Sequence, residues 1–459
     1  MKQPKQLIAL QKRFFESGQS RDISSIKKKL KALKTAIINN EEAIYDAAYK
    51  DFKKPKFEVY GSEIGLLISQ IDKILKNLSR WSKTKSVKAS KLNFPSRDYI
   101  RREPFGSVLV ISPWNYPFLL ALSPAISAIA AGNTVVLKPS EMTPNTADLI
   151  KKILTEVFDN DHFCVELGGV EETTLLLKQR WDYIFFTGSV AVGKIIAKAA
   201  AIHLTPVTLE LGGKNPCIVD VTTDLKLTAK RLVWGKFFNA GQTCIAPDYI
   251  LAEKSIKTEL IKLLKLEIKK AYGENPELSP YYPRIVNAAN YKRLIGMLSD
   301  VDIVHGGDKN KGDNYLCPTI VDNPSLDSKL MKGEIFGPIL PILSYDSESD
   351  IETIVKSYEK PLALYVFSKN KTFYNAMLKR FHFGGAVIND SMIHFGNQNL
   401  PFGGVGESGI GVCNGRFGYN TFTHQKSIVI KSNWLDAPLR YAPYKNKLKL
   451  LKKAFRWLG

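Results

Sequence analysis

From about residue 105 onward, short β-rich runs alternate with helical stretches, and that alternation leaves the chain few architectures. The β-rich runs are residues 108–111, 134–137, 183–186 and 207–209, and the helical stretches are about 117–131, 143–157 and 190–201. Parallel neighbours in a sheet need a long crossover, and a helix supplies it. The pattern therefore predicts an α/β fold with a doubly wound parallel sheet. Such sheets bind nucleotides outside the carboxyl ends of their strands. Upstream, residues 21–83 read as helices. Ile64, Leu67, Ile68, Ile71, Ile74, Leu75 and Leu78 recur at steps of three and four and mark one apolar helical face.

A second α/β segment runs from about 212 to 395, with a lysine-rich helical stretch at 255–272 and β-like runs at 363–367 and 386–389. The glycine-rich run LPFGGVGESGIG follows at 400–411, and the last ~30 residues are basic and turn-rich, then helical. With 459 residues and 44% hydrophobic content, the chain can bury the core of two or three domains.

Several classes are disfavoured. Cys164, Cys217, Cys244, Cys317 and Cys413 are an odd, scattered set without a CxxC pair, which argues against a disulfide framework and fits a reducing cytoplasm. The histidines form no HExxH or similar pair, so no metal site is expected. The N-terminus has no uninterrupted apolar stretch of signal-peptide length. Residues 104–137 carry no charge, but prolines, glycines and asparagines break them into strand, loop, helix and strand rather than a membrane span. The net charge of +21 is spread along the chain and accompanies no nucleic-acid-binding motif. It reads as a lysine-rich solvated surface, with weak attraction to polyanions as the alternative.

Six short motifs carry candidate chemistry, each weak alone. GQTC (241–244) offers Cys244, a sulfur nucleophile among small neighbours, although a free cysteine is more often a buried hydrophobe. LELGGKNP (209–216) places Glu210 at a strand end, where a carboxylate can activate water or simply sit in a turn. SPWNYP (112–117) puts Asn115 between a strand and a helix, as an oxyanion donor or a turn residue. FTGSVAVGK (186–194) opens a helix after a strand, and its N–H groups could hold a pyrophosphate, but its spacing is neither GxGxxG nor a complete P-loop. VVLKPSE (135–141) sets Lys138 and Glu141 where a ribose would lie, and EIFGP (334–338) offers an acid and an aromatic ring before a turn.

Taken together and in this order, PWN, KPSE, FTGS, LELGGK, GQTC and EIFGP resemble the aldehyde dehydrogenase superfamily. GQTCIAPDY, EIFGPILPI, KPLALYVFS, LPFGGVGESGIG and the tail segment RYAPY are similar to its class 3 branch, which includes fatty and aromatic aldehyde dehydrogenases. The resemblance implies two doubly wound α/β domains plus a small oligomerisation segment. It divides the chain into an NAD(P)-binding domain with N-terminal helices (1–211), a catalytic domain (212–395) and a C-terminal segment returning to the cofactor domain (396–459).

By resemblance, Cys244 is the nucleophile, Glu210 the general base, and Asn115 with the Cys244 N–H the oxyanion hole. Trp114, Lys138, Glu141, Gly188, Ser189, Val192, Gly193, Leu211, Glu334 and Phe336 are the implied coenzyme contacts. The thiolate attacks the aldehyde, hydride leaves to the nicotinamide, and Glu210 activates the water that hydrolyses the thioester. NAD is expected over NADP, because Glu141 beside a ribose disfavours a 2′-phosphate, though the branch often tolerates both. A cytoplasmic homodimer acting on medium- or long-chain aliphatic or aromatic aldehydes is implied. Trp234, Phe237 and Phe238 are compatible with an apolar funnel, and more simply with core.

An acylating enzyme that passes the thioester to coenzyme A, and a silent binding protein, are the competing readings. Glu210 argues against the first, and the intact Cys244, Glu210 and Asn115 argue against the second. The terminal KNKLKLLKKAFRWLG places Leu448, Leu451, Phe455 and Leu458 on one helical face among lysines. Packing on the protein or a dimer partner is favoured there, with an anionic membrane surface as the alternative.

Overall fold

The computed structural model describes residues 4–458. Helices Pro4–Glu16, Ile23–Asn39, Glu41–Phe52 and Gly65–Trp81 form the N-terminal layer. Helix Ile23–Asn39 starts where Asp22 accepts a hydrogen bond from the Ser25 N–H, and it buries Ile26, Leu30, Leu33 and Ile37. Helix Gly65–Trp81 buries Leu67, Ile71, Ile74 and Leu78, the face anticipated from the spacing; Ile68 and Leu75 pack at its edge. The first helix lies ahead of the segment read as helical. Its buried Gln11 donates to the Val135 carbonyl at 2.8 Å, tying the N-terminus to the main sheet.

That sheet has six strands, in the spatial order Gly409–Ile410, Val207–Glu210, Tyr183–Thr187, Ser107–Ile111, Thr134–Lys138 and Phe163–Val165. All neighbours are parallel except the first pair. Ser107–Ile111 and Thr134–Lys138 are buried throughout, as expected of strands covered on both faces. The chain builds outward from Ser107–Ile111 in one direction, then returns to add Tyr183–Thr187 on the other side. This reversal opens a crevice at the carboxyl ends of those two central strands.

A second sheet of seven strands spans Pro216–Val219 to Gly385–Ile388, with only Ile303–His305 antiparallel to its neighbour. A third sheet, of three antiparallel strands, joins Lys85–Val87 and Ser96–Pro104 to Thr423–Lys431. Besides the two edge strands Ile303–His305 and Gly409–Ile410, five strands of the first two sheets escaped the sequence reading: Phe163–Val165, Pro216–Val219, Tyr249–Glu253, Thr319–Asp322 and Ile339–Tyr345. Each is a short, almost wholly buried run, and without alternation a buried strand looks like any apolar stretch.

The terminal helix Leu448–Leu458 leaves Leu448, Leu451 and Phe455 exposed, so its apolar face does not pack on the body of its own chain. Among the described residues, no helix is long and apolar enough to cross a membrane. No group of three or more potential metal-ligating side chains gathers among them either.

Candidate active site

The loop carrying Cys244 begins with three consecutive left-handed residues, Asn239 (φ 55°), Ala240 (φ 51°) and Gly241 (φ 72°). Gly241 is required twice over. Beyond its φ, a Cβ there would lie 2.3 Å from the Gly337 carbonyl oxygen, so the GQTC loop and the EIFGP turn touch backbone to backbone. Strain of this kind persists only where surroundings over-determine it. Here Asn239 Nδ2 donates to the carbonyls of Asn115 and Gln242 at 2.9 and 3.1 Å. Gln242 Nε2 donates to the Arg284 carbonyl, and the Val286 N–H donates to Gln242 Oε1. Asn215 Nδ2 donates to the Cys244 carbonyl at 2.7 Å.

Asn115 follows the central strand Ser107–Ile111. Its Nδ2 donates to the Gln242 carbonyl at 3.0 Å. That bond uses one amide hydrogen and fixes the plane of the group, which leaves the other hydrogen for the cleft. Next to it, the Tyr116 hydroxyl hydrogen-bonds Thr243 Oγ1 at 2.6 Å.

Glu210 ends the adjacent strand Val207–Glu210 and is 5% exposed. Neither carboxylate oxygen has a hydrogen-bond partner meeting ordinary geometry among the described residues. Burial pushes the Glu210 carboxyl well above the usual range, with the Cys413 thiol pulling it partly back. Burial likewise pushes the Cys244 thiol up to about 12, helped by the negative charges of Glu334 and Glu210.

Two cavities meet at these residues. One, of about 280 Å³, is walled by Leu66, Leu119, Leu120, Trp234, Phe238 and Ile393, among others. The second, of about 270 Å³, is more polar and lies in the crevice at the strand ends, between Trp114, Asn115, Gly188, Ser189, Glu334 and Phe336. Cys244, Glu210 and Thr187 line both. The sulfur is therefore not sealed inside.

The polar cleft suits a dinucleotide. Ser189 caps helix Val190–Ala201 at the cleft, and a helix N-terminus so placed can receive an anion. A Cβ at Gly188 would lie 2.4 Å from the Phe186 ring, and one at Gly212 would lie 2.0 Å from the Glu334 carboxylate. Phe336 and Trp114 meet edge to face at 5.3 Å, offering flat apolar walls. Burial and Asp248 push Glu334 up to about 8, against the pull of the Gly213 N–H, Arg293 and Lys214. Underneath, the buried Lys214–Asp248 pair (2.7 Å) holds the EIFGP turn: Asp248 accepts from the Ile335 N–H, and Lys214 donates to the Gly333 carbonyl.

The cleft thus brings together Trp114, Asn115, Gly188, Ser189, Glu210, Leu211, Cys244, Glu334 and Phe336. Four anticipated residues stand outside its wall. Lys138 and Glu141 pair with each other at 3.3 Å beyond the neighbouring strand. Val192 is exposed on the first turn of the capped helix, and Gly193 packs its backbone against Leu211. The sequence reading missed Thr187, Asn290 and Arg293 in the cleft and Cys413 beside Glu210. Thr187 lies inside FTGS, where its place just before Gly188 was the available signal.

Comparison with known proteins agrees with this geometry. The Aldehyde dehydrogenase family matches residues 2–428. The chain belongs to the aldehyde dehydrogenase family. It is 46% identical to the 4,4'-diaponeurosporen-aldehyde dehydrogenase of Staphylococcus aureus, with 97% of each chain covered. It is 44% identical to aldehyde dehydrogenase family 3 member A2 of Pongo abelii, covering 94% of this chain and 89% of the relative. The substrate-bound structure of Staphylococcus aureus AldH superposes with a TM-score of 0.97 at 45% identity, covering 99% of this chain and 100% of the other. An NAD+ complex of a Mycobacterium tuberculosis aldehyde dehydrogenase superposes with a TM-score of 0.84 at 26% identity, covering 94% and 90%. The protein is accordingly an oxidoreductase with the aldehyde dehydrogenase fold, and it is class 3-like.

Proposed function

We propose that this aldehyde dehydrogenase oxidises an apolar aldehyde to its carboxylic acid through a thioester on Cys244. The supporting observation is that Cys244 and Glu210 stand where an apolar cavity meets a polar cleft. A substrate with a long aliphatic or aromatic body fills the first and presents its carbonyl to the sulfur. The Staphylococcus aureus relative is named for a 4,4'-diaponeurosporen aldehyde, and family 3 member A2 for aldehydes generally.

The Cys244 thiol gives up its proton to solvent in the cleft, and the thiolate adds to the carbonyl carbon, forming the C–S bond and placing negative charge on oxygen. The free Asn115 N–H and the Cys244 backbone N–H receive that charge, and a preorganised donor of this kind is worth about 10²–10³ in rate. When bound, a nicotinamide dinucleotide would accept the hydride that leaves the substrate carbon, which thereby becomes the thioester carbon. Glu210 then takes a proton from water, the water oxygen bonds to the thioester carbon, the C–S bond breaks, and the acid leaves. Burial raises its pKa, which makes the ionised carboxylate a stronger base. Hydrolysis in place of transfer to coenzyme A follows from that base.

Glu334 and Phe336 would hold the nicotinamide end and Ser189 with the helix N-terminus the pyrophosphate, while Lys138 and Glu141, beyond the cleft wall, would meet the adenosine ribose. We assign NAD as preferred coenzyme through Glu141; a kcat/KM ratio favouring NADP refutes that assignment. The decisive assay is coenzyme reduction over a panel of aldehydes. Cys244→Ala should bind coenzyme and not turn over. Glu210→Gln should give a burst of reduced coenzyme and then stall. A full-rate steady state in Glu210→Gln removes that carboxylate from the mechanism.

A further inference from the structure

Beneath the site lies a buried charge cluster that no motif signalled. Lys54 and Glu63 are each 1% exposed and Glu58 is 6% exposed. Lys54 Nζ donates to Glu63 Oε1 at 2.7 Å and sits 4.0 Å above the centre of the Tyr116 ring. Removing three charged groups from water is expensive, and apolar packing of the same volume is often as stable. The cluster therefore calls for a reason beyond stability.

Each carboxylate holds the backbone of one site segment. Glu63 Oε2 accepts the N–H groups of Phe118 (2.8 Å) and Leu119 (3.2 Å). These are orphan donors of helix Pro117–Ala131, whose N-cap residue Tyr116 provides no side-chain cap. Glu63 caps that helix from a distant part of the chain, two residues after Asn115. Glu58 Oε2 accepts the Asn239 N–H at 3.0 Å, at the first left-handed residue of the loop that carries Cys244. Asn239 then bonds Asn115 and Gln242, and Tyr116 bonds Thr243, so the two segments are cross-linked above the cluster. Neither Glu58 nor Glu63 lines either cavity.

We propose that Glu58 and Glu63, bridged by Lys54, are positioning residues that hold the Asn115 amide and the Cys244 loop in register for thioester formation. The proposal rests on the active-site reading above. A misplacement of about 1 Å at a reacting centre can cost about 10²-fold in rate. The cluster also carries a pH signature. Two carboxylates face one ammonium, and burial pushes Glu58 up to about 7, with Lys54 and the Asn239 N–H pulling it back. Tyr116 and Tyr272 also face Glu58, and burial holds both phenols above their ordinary range, so they stay neutral. Above that pH the ionised Glu58 is a strong acceptor for the Asn239 N–H; below it the protonated group holds the loop less firmly.

The test is the pre-steady-state burst of reduced coenzyme in the full-length enzyme, measured across pH, with coenzyme affinity measured separately. For Glu63→Gln the burst should slow about tenfold to 10²-fold, with coenzyme Kd within about twofold of wild type. Glu58→Gln keeps the shape and an acceptor, so it should fold. Wild-type burst rate should decline as pH falls through about 7, and Glu58→Gln should lose that decline. Wild-type burst rates and an unchanged pH profile in both variants overturn the proposal. Should Glu63→Gln fail to fold, the Glu58→Gln profile decides alone. Cys244→Ala in the same assay separates the two levels: turnover there refutes the active-site reading itself.

Discussion

Replacing Asn115 with alanine separates its chemical role from its structural one. The side chain makes one hydrogen bond in the resting protein, from Nδ2 to the Gln242 carbonyl at 3.0 Å. That carbonyl keeps a second donor, Asn239 Nδ2 at 3.1 Å, so the substitution strands no buried acceptor. The stability loss is then that of one ordinary hydrogen bond and a small void, about 1–2 kcal/mol. The rate loss is that of an oxyanion donor, about 2.7–4 kcal/mol or 10²–10³ in kcat. Asn115→Asp should be worse on both counts, because an ionised carboxylate has no proton to donate and would face the Gln242 carbonyl oxygen. Steady-state kinetics with a thermal melt on the same samples reads both quantities. A kcat loss below tenfold for Asn115→Ala refutes the oxyanion assignment. A melt showing gross unfolding refutes the claim that the two roles separate.

Glu210 should show its function as a stability defect. A carboxyl whose folded pKa lies above its unfolded value gives stability that is present at low pH and lost as pH rises through the raised value. Glu210→Gln should therefore melt close to wild type below about pH 4 and increasingly above it toward alkaline pH; parallel melting curves against pH would contradict this. Helix Leu448–Leu458 leaves Leu448, Leu451 and Phe455 exposed, and a second copy of the chain covering them is the arrangement to test. Removing residues 445–459 should lower the mass seen by light scattering. An unchanged mass with lost binding to anionic vesicles would assign the tail to a membrane surface instead.

Much of the fold was written in periodicity. The central strands and the helices between them were legible because apolar steps of three and four alternate with β-branched runs, and glycine and proline mark the ends. Pro117 begins its helix and Gly132, at φ 94°, terminates it. The second sheet was harder to read, since runs such as Pro216–Val219 are four buried residues with no polar face to set a phase. The site was legible as motifs and not as geometry. Residues 115, 210, 244 and 334 are far apart in sequence, and only the order of their motifs tied them together. Glu58 and Glu63 gave no signal, because a charged residue in a helical stretch looks like any solvated face until burial shows otherwise.

The resting site is electrically quiet. Burial favours the neutral form of Cys244, and the carboxyls of Glu210 and Glu334 are pushed the same way, so each group raises the next when it ionises. A thiolate would be the better nucleophile and also the better target for oxidants. Burial and the neighbouring carboxyls favour the protonated thiol, and a protonated sulfur reacts more slowly with oxidants. Positive charge entering the cleft would favour the thiolate and so tie nucleophilicity to occupancy. If this is correct, alkylation of Cys244 by iodoacetamide should be slow in the free enzyme and should accelerate when positive charge enters the polar cleft. Equal alkylation rates in the empty and filled states would show that burial does not govern the sulfur.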